Sequence, residues 1–343
     1  MKKNLPLLSI VIPTYNRCEY IDLSLNQITK EKVLLDQGVI ELIVSDDYSK
    51  DKTCKLVKSY IKKGAKIDFN RNQKNIGLDA NVAKCINKAN GKYVLVLGDD
   101  DLLLNGSIKW ILEQIIKDKY GVICFSAYGY EKNYLKELPI SFLNTYEFNN
   151  AGKFLIEIGP LVTFTSVCVF NKKLLGAFDA RKFCGCWMVH VPLIIEAAIK
   201  ARKNLYCSKY LVAAKRNNSG GYNFIEVFVE NLGNILDSFR GRGIKKSQIQ
   251  AFEKKMIFSY LPYYLLKQRM SEDFNVLNNM KILKKRYSNY FIFSIWLAPI
   301  LNTPKIIAIL WGSITTVIGR IYLGQSIRAI YLLKNKIKIY LNR

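Results

Sequence analysis

The sequence lacks the short motifs by which proteins often hold nucleotide phosphates or structural metals. It contains neither G-x-G-x-x-G nor G-x-x-x-x-G-K-[ST]. A bound diphosphate would therefore have to be met by a metal ion and basic side chains instead of a glycine-rich loop. The eight cysteines show no Cys-x-x-Cys spacing, which argues against a zinc site. The N-terminus has no signal-peptide pattern, so reduced thiols in the cytoplasm are expected.

Acidic residues are scarce, and the C-terminal part has none. The 343 residues include 27 Asp and Glu against 52 Lys and Arg, a formal net charge of +25. No Asp or Glu occurs over Phe274–Arg343, whereas Lys281–Arg343 contains eleven Lys and Arg. So basic a chain suggests a polyanionic partner, either nucleic acid or an anionic membrane surface. Half of the residues are hydrophobic, which excludes a disordered basic tail protein.

The most informative stretch is Gly91–Ser107. Within it, Tyr93–Leu97 is an unbroken apolar run, which predicts a strand buried on both faces. Gly98 and three carboxylates, Asp99, Asp100 and Asp101, follow directly. Adjacent anions at the mouth of a buried strand need a cation, and oxygen ligands of this kind suit Mg²⁺ or Mn²⁺. The alternative is a solvated acidic turn that caps the helix beginning near Asn105.

The first third of the chain alternates short apolar runs with amphipathic stretches of about ten residues. Strands are predicted over Leu7–Ile12, Val39–Val44, Lys66–Phe69 and Tyr93–Leu97. Helices are predicted over Glu19–Ile28, Thr53–Ile61 and Asp79–Ala89. This alternation predicts right-handed βαβ units and hence an α/β fold with a mainly parallel, Rossmann-like sheet.

The pattern loosens after Gly121 and becomes helical from about Phe224. Strands are predicted over Val122–Ala127, Val162–Phe170 and Leu205–Ala213, and helices over Lys172–Phe178 and Met188–Lys200. Tyr128–Asn150 has no regular pattern. Helical spacing then covers Ile225–Phe239, Lys246–Lys267 and Asp273–Tyr287. We therefore divide the chain into an α/β domain of residues 1–222, with halves 1–111 and 112–222, and a helical, basic region of residues 223–343.

Residues 288–343 differ in kind from the rest. Two apolar runs, Phe291–Leu301 and Ile306–Ile318, are each shorter than the roughly 20 residues that a spanning helix needs. They could form a re-entrant hairpin, interfacial helices anchored by Trp296 and Trp311, or a buried or dimer-forming pair. The charge asymmetry favours interfacial contact with an anionic membrane.

A second pair of carboxylates, Asp46-Asp47, also follows a predicted strand. A carboxylate there can accept from a nucleobase N–H or from ribose hydroxyls. The alternative is helix capping by the same segment, for which Ser49 and Asp51 are suitable residues. Only one of the two aspartates is needed for capping, so ligand binding is slightly favoured.

Five motifs in one order give the chain a recognisable outline. They are Ile10–Arg17 (IVIPTYNR), Val44–Asp51 (VSDDYSKD), Asn75–Asn81 (NIGLDAN), Asn90–Tyr93 (NGKY) and Gly98–Asp101 (GDDD). Together they resemble the motifs of GT-A glycosyltransferases of family 2. The resemblance is strong over Leu7–Ile111, thinner to Asn218, and covers nothing beyond. Within the family the chain is most similar to abequosyltransferase-type O-antigen transferases, which share the Asn-x-Gly-x-x-x-Asn and Gly-x-Asp-Asp forms.

The resemblance implies a GT-A fold, a nucleotide-sugar donor held by the first half and an acceptor held by the second. It implies a divalent metal, Mg²⁺ or Mn²⁺, on Asp100 and Asp101, with Asp47 meeting the base. The donor-binding positions it implies are Pro13, Thr14, Tyr15, Arg17, Asp46, Asp47, Asn75, Gly77, Asp79, Asp99 and Arg216.

Two positions depart from the family pattern. Gly98 replaces the first acidic residue of the usual Asp-x-Asp, which removes the carboxylate that normally contacts ribose. Family members also follow a Phe-Asp segment with Glu-Asp, whose aspartate is the general base, whereas here Val189-His190 matches that place. A neutral imidazole can accept a proton from a hydroxyl, so His190 is the predicted catalytic base. The alternative is a histidine packed in a helix, with its ring bonded to a backbone carbonyl.

The expected function is metal-dependent, inverting transfer of one sugar to a polyprenyl-diphosphate-linked glycan in bacterial surface polysaccharide (O-antigen or capsule) synthesis. The enzyme would be cytoplasmic, peripheral on the inner face of the plasma membrane, and its C-terminal helices are compatible with a homo-oligomer. One rival is a membrane-associated scaffold that kept the fold and lost catalysis. The other is a nucleic-acid-binding protein, which the carboxylates at strand ends argue against because they would repel phosphate unless metal-bound.

Overall fold

The computed structural model describes residues 5–140, 143–216, 221–270 and 276–323. The chain forms two compact units, Met1–Gly221 and Tyr222–Arg343. The last twenty residues of the predicted membrane-interfacial segment, 324–343, lie outside the described residues.

The first unit is built on a nine-stranded sheet in the order β3-β2-β1-β4-β8-β6-β9-β5, with β7 paired to β9. The strands are β1 Leu8–Thr14, β2 Ile40–Asp46, β3 Asp68–Arg71, β4 Tyr93–Val96, β5 Leu102–Leu103, β6 Val122–Tyr130, β7 Thr145–Phe148, β8 Cys168–Asn171 and β9 Asn204–Lys215. The four strands β3, β2, β1 and β4 are mutually parallel, and β6 is parallel to β9. β8, β5 and β7 run antiparallel to their neighbours.

Helices cover the sheet, and their apolar faces follow the predicted periodicity. They are α1 Cys18–Ile28, α2 Lys32–Asp36, α3 Thr53–Lys62, α4 Leu78–Lys88, α5 Ser107–Lys117, α6 Ala151–Ile158 and α7 His190–Lys200. Short 3₁₀ turns occupy Gly159–Thr163, Thr165–Val167, Lys172–Leu175 and Ala180–Phe183. Pro192 lies in the first turn of α7, where a missing N–H breaks no helical hydrogen bond.

Most of one predicted strand forms 3₁₀ turns instead. The strand β8, Cys168–Asn171, covers only the last three residues of the predicted strand Val162–Phe170, and most of the others lie in two 3₁₀ turns. Pro160 sits at the start of the first turn, and the Thr163 hydroxyl donates to the Pro160 carbonyl at 2.7 Å. Local turn bonding therefore overrides the alternation of β-branched and aromatic residues.

The second unit is helical in its described part. Its helices are α8 Leu232–Ser238, α9 Lys246–Lys255, α10 Leu261–Arg269, α11 Val276–Tyr287, α12 Ala298–Asn302 and α13 Lys305–Tyr322, with π segments at Glu226–Asn231, Met256–Tyr260 and Phe293–Leu297. A partly buried charge network links three helices, since Arg286 Nε donates to Glu253 Oε1 at 2.5 Å and Arg286 Nη1 donates to Asp237. Among the described residues one helix, α13, is long and apolar enough to cross a membrane by length and composition.

Candidate functional site

The carboxyl ends of three neighbouring parallel strands, β1, β2 and β4, meet at one edge of the sheet. Thr14 lies in register with Asp46, and the Asp47 amide donates to the Thr14 carbonyl at 2.9 Å. Gly98 and the aspartate triplet follow β4 at the same edge. Since ligands bind at this edge in open α/β sheets, the motifs of the first half converge on one candidate site.

A tight turn and a buried serine hold the aspartate triplet in place. The Asp101 amide donates to the Gly98 carbonyl at 3.1 Å, which closes the turn. Ser166, fully buried, accepts from the Gly98 amide at 2.9 Å and donates to Asp101 Oδ2 at 2.5 Å. The 3₁₀ turn that carries Ser166 therefore positions a carboxylate that follows β4.

Asp99 and Asp101 of the triplet are affected by burial and by a neighbouring negative charge. Burial, and then the charge of Asp100, raises the pKa of Asp99 to about 7. The same two causes raise the pKa of Asp101 well above its usual range. Arg17 is the nearby cation, with its Nη1 3.8 Å from Asp100 Oδ2. That nitrogen is buried and makes no hydrogen bond with the described residues, so it is available to an anionic ligand.

The raised pKa of Asp99 predicts how the stability of the metal-free protein depends on pH. Its folded pKa of about 7 exceeds the usual 3.8, so between these values the folded state binds more protons than the unfolded state. The contribution of this proton to the free energy of unfolding is complete below pH 3.8 and is lost as pH rises to about 7. In chelator, melting at pH 8 should occur at lower temperature than at pH 5.5, and Asp99→Asn should flatten that slope, recovering about 1–2 kcal/mol at pH 8.

The control for this prediction is Asp118→Asn, because a hydrogen bond from Lys203 holds the pKa of the Asp118 carboxyl below its usual range. This variant should keep the wild-type slope. An Asp99→Asn profile parallel to that of the wild type would contradict the assignment.

The residues of the triplet fit a divalent cation. A Cβ on Gly98 would lie 2.8 Å from Asp101 Oδ2 and 3.2 Å from Asp100 Oδ1, so both oxygens converge above the glycine backbone. Among the described ranges no set of three or more His, Cys, Asp or Glu side chains is placed to enclose an ion. Mg²⁺ is usually bound by one or two carboxylates together with substrate phosphates, which agrees with a two-carboxylate site.

Asp47 anchors the loop that leads into α4. Its Oδ1 accepts from the Ile76 amide at 2.9 Å and from Asn72 Nδ2 at 2.8 Å, and its Oδ2 accepts from the Gly77 amide at 3.0 Å. Asn75 Oδ1 also accepts from the Gly77 amide, at 2.9 Å. Gly77 has φ +86°, which a residue with a Cβ rarely adopts. Asp47 therefore shapes this loop, and its predicted contact with a base stays a prediction.

Asp46 is fully buried and serves the turn after β2. Its Oδ1 accepts from the Ser49 amide at 3.0 Å, which closes the turn, and Arg71 Nε lies 3.2 Å from its Oδ2. The Arg71 guanidinium also lies 5.2 Å from the centre of the Tyr48 ring, and Tyr48 has φ +66°. Asp46 and Arg71 therefore fix a strained, partly aromatic loop beside the site.

The loop after β1 supplies the remaining donor candidates of the first motif. Pro13 is half-buried, Thr14 is buried and Tyr15 is 43% exposed. The Asn16 amide donates to Ser49 Oγ at 2.8 Å, and the Arg17 amide donates to Thr53 Oγ1 at 3.2 Å. The loop is therefore tied to the segment after β2, and Tyr15 and Arg17 stay at the sheet edge.

Asp79 connects the two halves of the first unit. Its Oδ2 accepts from the Gly185 amide at 2.7 Å and from the Trp187 amide at 2.9 Å. Trp187 has φ +60° and is 43% exposed, an unusual state for a bulky residue. This carboxylate holds the loop that presents Trp187, and its predicted donor contact stays a prediction.

Arg216 lies at the end of β9, and its amide donates to the Tyr130 carbonyl at 2.9 Å. A Cβ on Gly129 would lie 2.8 Å from Arg216 Nε, so the glycine makes room for the side chain. The backbone of the preceding Lys215 hydrogen-bonds to Asp101. The end of β9 thus reaches the aspartate triplet, and Arg216 follows next to it.

The position of His190, the predicted catalytic base, agrees with the alternative of a histidine packed in a helix. The side chain is 4% exposed, and its Nε2 lies 3.1 Å from the Thr163 carbonyl. Burial lowers the pKa of the ring to about 4, so it is neutral and weakly basic at pH 7. A general base must reach the proton it removes, and this ring is enclosed at the start of α7. His190 therefore packs and positions the 3₁₀ turn Gly159–Thr163.

This assignment predicts that His190→Gln keeps transfer activity within a few-fold of wild type. The amide can still donate to the Thr163 carbonyl, while the changed shape should lower stability by about 1–3 kcal/mol. Initial transfer rates and thermal melts measure the two effects separately. A folded variant with intact donor binding and a hundredfold slower transfer would restore His190 as the base.

Sequence reasoning missed Ser166, Asn72 and Trp187. Ser166 lies in the stretch Val162–Phe170, whose alternating β-branched and aromatic residues predicted a strand. No local feature of the sequence indicates its hydrogen bond to Asp101. Asn72 Nδ2 donates to Asn81 Oδ1 at 3.2 Å, and Ser45 Oγ donates to the same oxygen at 2.7 Å. Asn81 belongs to the Asn-x-Gly-x-x-x-Asn motif. A buried asparagine of a motif needs hydrogen-bond partners, and this need was the signal in the sequence that pointed to residues such as Asn72.

Comparison with known proteins places the chain in a family. The family model described as Glycosyl transferase family 2 matches residues 9–176. An abequosyltransferase of Salmonella typhimurium is 38% identical over 228 residues, covering 62% of this chain and 67% of that enzyme. A GalNAc(5)-diNAcBac-PP-undecaprenol beta-1,3-glucosyltransferase of Campylobacter jejuni is 32% identical over 112 residues, covering 32% of this chain and 35% of that enzyme.

Solved structures share the fold. The S. aureus protein TarS 1-349, in complex with UDP-GlcNAc, superposes with a TM-score of 0.62 at 18% identity, over 93% of this chain and 92% of that one. A mannosyltransferase of Pyrobaculum calidifontis, in complex with GDP-Man and Mn²⁺, gives a TM-score of 0.51 at 13% identity, over 92% of this chain and 91% of that one. The predicted GT-A α/β fold is confirmed. The chain belongs to glycosyl transferase family 2 and is a glycosyltransferase.

Proposed function

We propose that the protein is a metal-dependent enzyme that transfers one sugar from a nucleotide-sugar to a hydroxyl of a polyprenyl-diphosphate-linked glycan. The product would be a bacterial surface polysaccharide such as O-antigen or capsule, and the transfer would invert the anomeric carbon, as is usual in the family. The enzyme would act at the cytoplasmic face of the plasma membrane, where a lipid-linked acceptor is exposed.

One observation carries the donor site. Arg17 Nη1 is buried, makes no hydrogen bond with the described residues and lies 3.8 Å from a triplet of carboxylates at the carboxyl edge of the sheet. A buried donor without a hydrogen bond, beside three adjacent carboxylates, fits a metal diphosphate, which offers an anion to Arg17 and a cation to Asp100 and Asp101. Tyr15, exposed at the same edge, would lie against the nucleoside.

Each residue of the site has a defined part in this mechanism. Asp100 and Asp101 would hold the metal, which, when bound, offsets charge on the leaving nucleoside diphosphate. Arg17 would add a second positive charge to that leaving group as the bond to the anomeric carbon breaks. The acceptor oxygen would bond to the anomeric carbon as the diphosphate leaves, and the hydroxyl proton would pass to water. Asp47 and Asp79 would act at a distance, by holding the Asn75–Gly77 and Gly185–Trp187 loops.

The acceptor proposal is supported by relatives and by chemistry. The Campylobacter relative is named for an undecaprenyl-diphosphate acceptor, and the Salmonella relative for abequosyl transfer. Trp187 is exposed on the loop that Asp79 holds, and an aromatic face of this kind suits the apolar face of a sugar ring. The basic C-terminal region complements the negative charge of a diphosphate lipid.

The experiment that tests the proposal is a donor panel of UDP-, GDP-, CDP- and dTDP-sugars, measured by thermal shift with Mn²⁺ and with chelator. One nucleotide class should stabilise the protein, and the shift should vanish with chelator. Hydrolysis of the same donor over hours should then release free sugar. A protein that neither binds nor hydrolyses any donor would be the inactive scaffold instead.

A further inference from the structure

Helix α13 carries its large apolar side chains on the outside. Six of them, which we call the outer stripe, are 41–70% exposed: Ile306, Ile307, Leu310, Ile314, Ile318 and Ile321. Their spacing of three to four residues puts them on one continuous face of the helix. A contiguous patch of exposed aliphatic residues marks an interaction surface.

The inner face of the same helix is built from small residues. Its buried positions are Ala308, Gly312, Thr315, Thr316 and Gly319. A Cβ on Gly312 would lie 3.0 Å from Leu266 Cδ1, and one on Gly319 would lie 2.7 Å from the Phe258 carbonyl oxygen. α13 therefore packs closely along the segment 256–269. Surface helices of water-soluble proteins are organised the other way, whereas small residues inward and large apolar residues outward are typical of helices in lipid.

The Ser and Thr hydroxyls of α13 are satisfied within the helix. Thr316 Oγ1 donates to the Gly312 carbonyl at 2.6 Å, Thr315 Oγ1 to the Trp311 carbonyl at 3.1 Å and Ser313 Oγ to the Ile309 carbonyl at 2.7 Å. These hydroxyls need no water, so burial of the outer stripe in hydrocarbon leaves them paired.

The length of the segment that packs on α13, residues 256–269, argues against a transmembrane span. Its apolar stretch Met256–Leu266 covers about 16 Å at 1.5 Å per residue, well short of a hydrocarbon core of about 30 Å. Lys254 and Lys255 precede this stretch, and Lys267 and Arg269 follow it. The pair can therefore dip one face into a leaflet without crossing the membrane.

Charge decides between a lipid surface and a second copy of the chain. Lys305 begins α13 and Arg320 lies near its end, and no Asp or Glu occurs anywhere over Phe274–Arg343. Two copies joined through the outer stripe would bring like charges together, whereas anionic headgroups would compensate them.

We propose that the outer stripe of α13 inserts into one leaflet of an anionic membrane as an in-plane anchor. The proposal rests on the proposed function only for the place of the lipid-linked acceptor. Vesicle binding needs neither donor nor acceptor, so failure of this proposal and failure of the transferase proposal are distinguishable.

The test is co-sedimentation of the full chain with phosphatidylcholine vesicles, with and without phosphatidylglycerol, at low and high salt. Wild type should bind the anionic vesicles and keep a salt-resistant fraction, because insertion is not screened. The double variant Leu310→Gln/Ile314→Gln should lose that fraction by at least about tenfold, since each aliphatic side chain gains free energy on leaving water. Both residues are exposed, so the melting temperature should stay unchanged.

The matched control is Ile116→Gln/Leu135→Gln, two apolar residues of the first unit that are 73% and 60% exposed. It should bind vesicles as wild type does. Retained salt-resistant binding by the α13 variant would overturn the proposal. So would a lipid-free dimer that the α13 variant, and not the control, converts to monomer, because the stripe would then bind a second copy.

Discussion

Asp100→Asn is expected to slow sugar transfer at least about a thousandfold, the size of loss found when one preorganised charge at a reacting centre is removed. Asp100 is a predicted metal ligand, and its Oδ1 faces the same point above Gly98 as Asp101 Oδ2. Its charge also raises the pKa values of Asp99 and Asp101. The metal-free variant should therefore melt no lower than wild type, while calorimetry with Mn²⁺ shows weaker binding.

The opposite signs of these two effects make the experiment informative. A residue that matters only for folding would lose activity and stability together. The control is Glu113→Gln, an exposed carboxylate on α5, which should leave rate, metal binding and melting unchanged. Transfer by Asp100→Asn within tenfold of wild type would remove Asp100 from the metal site.

The strand-end carboxylates were predictable because two local signals coincide. β1 and β4 are buried on both faces, so their residues form apolar runs that stand out in the sequence. Polar residues directly after such runs must lie at the carboxyl edge, whatever the details of the turn. The α/β fold and the position of Asp99, Asp100 and Asp101 follow from that rule and are found in the structure. The GT-A assignment came instead from the resemblance of the five motifs to family 2, and it is confirmed.

The partners of these carboxylates were not predictable from local pattern. Asp47 accepts from amides about thirty residues away, and Asp79 from amides more than a hundred residues away. Sequence reasoning assigned both to the donor because an aspartate in a motif looks the same whether it binds ligand or backbone. For His190 likewise, the match of its position to a family base carries no information about its burial.

Asp47→Ala is expected to cause the largest loss of stability among the site variants, about 3–5 kcal/mol. The substitution leaves the Asn72 side-chain amide, buried near the site, without its carboxylate partner. The Ile76 and Gly77 amides lose the same carboxylate, and the loop that Gly77 turns with φ +86° loses its anchor. Chemical denaturation measures the loss. Donor titration should also show weaker binding, because the loop leads directly into the first turn of α4, where Asp79 holds the Gly185–Trp187 loop.

The control for this loss is Asp68→Ala. Asp68 lies on the neighbouring strand β3 and forms a partly exposed ion pair with Lys88 of α4, which this substitution removes. Exposed pairs contribute about 0–1 kcal/mol, so this variant should remain near wild type in both measurements. If Asp47→Ala were as stable as Asp68→Ala yet bound no donor, Asp47 would be a direct donor contact, as its motif first indicated. If both stability and donor binding fall, the carboxylate acts by holding the loop, and the donor is bound by the residues that the loop positions.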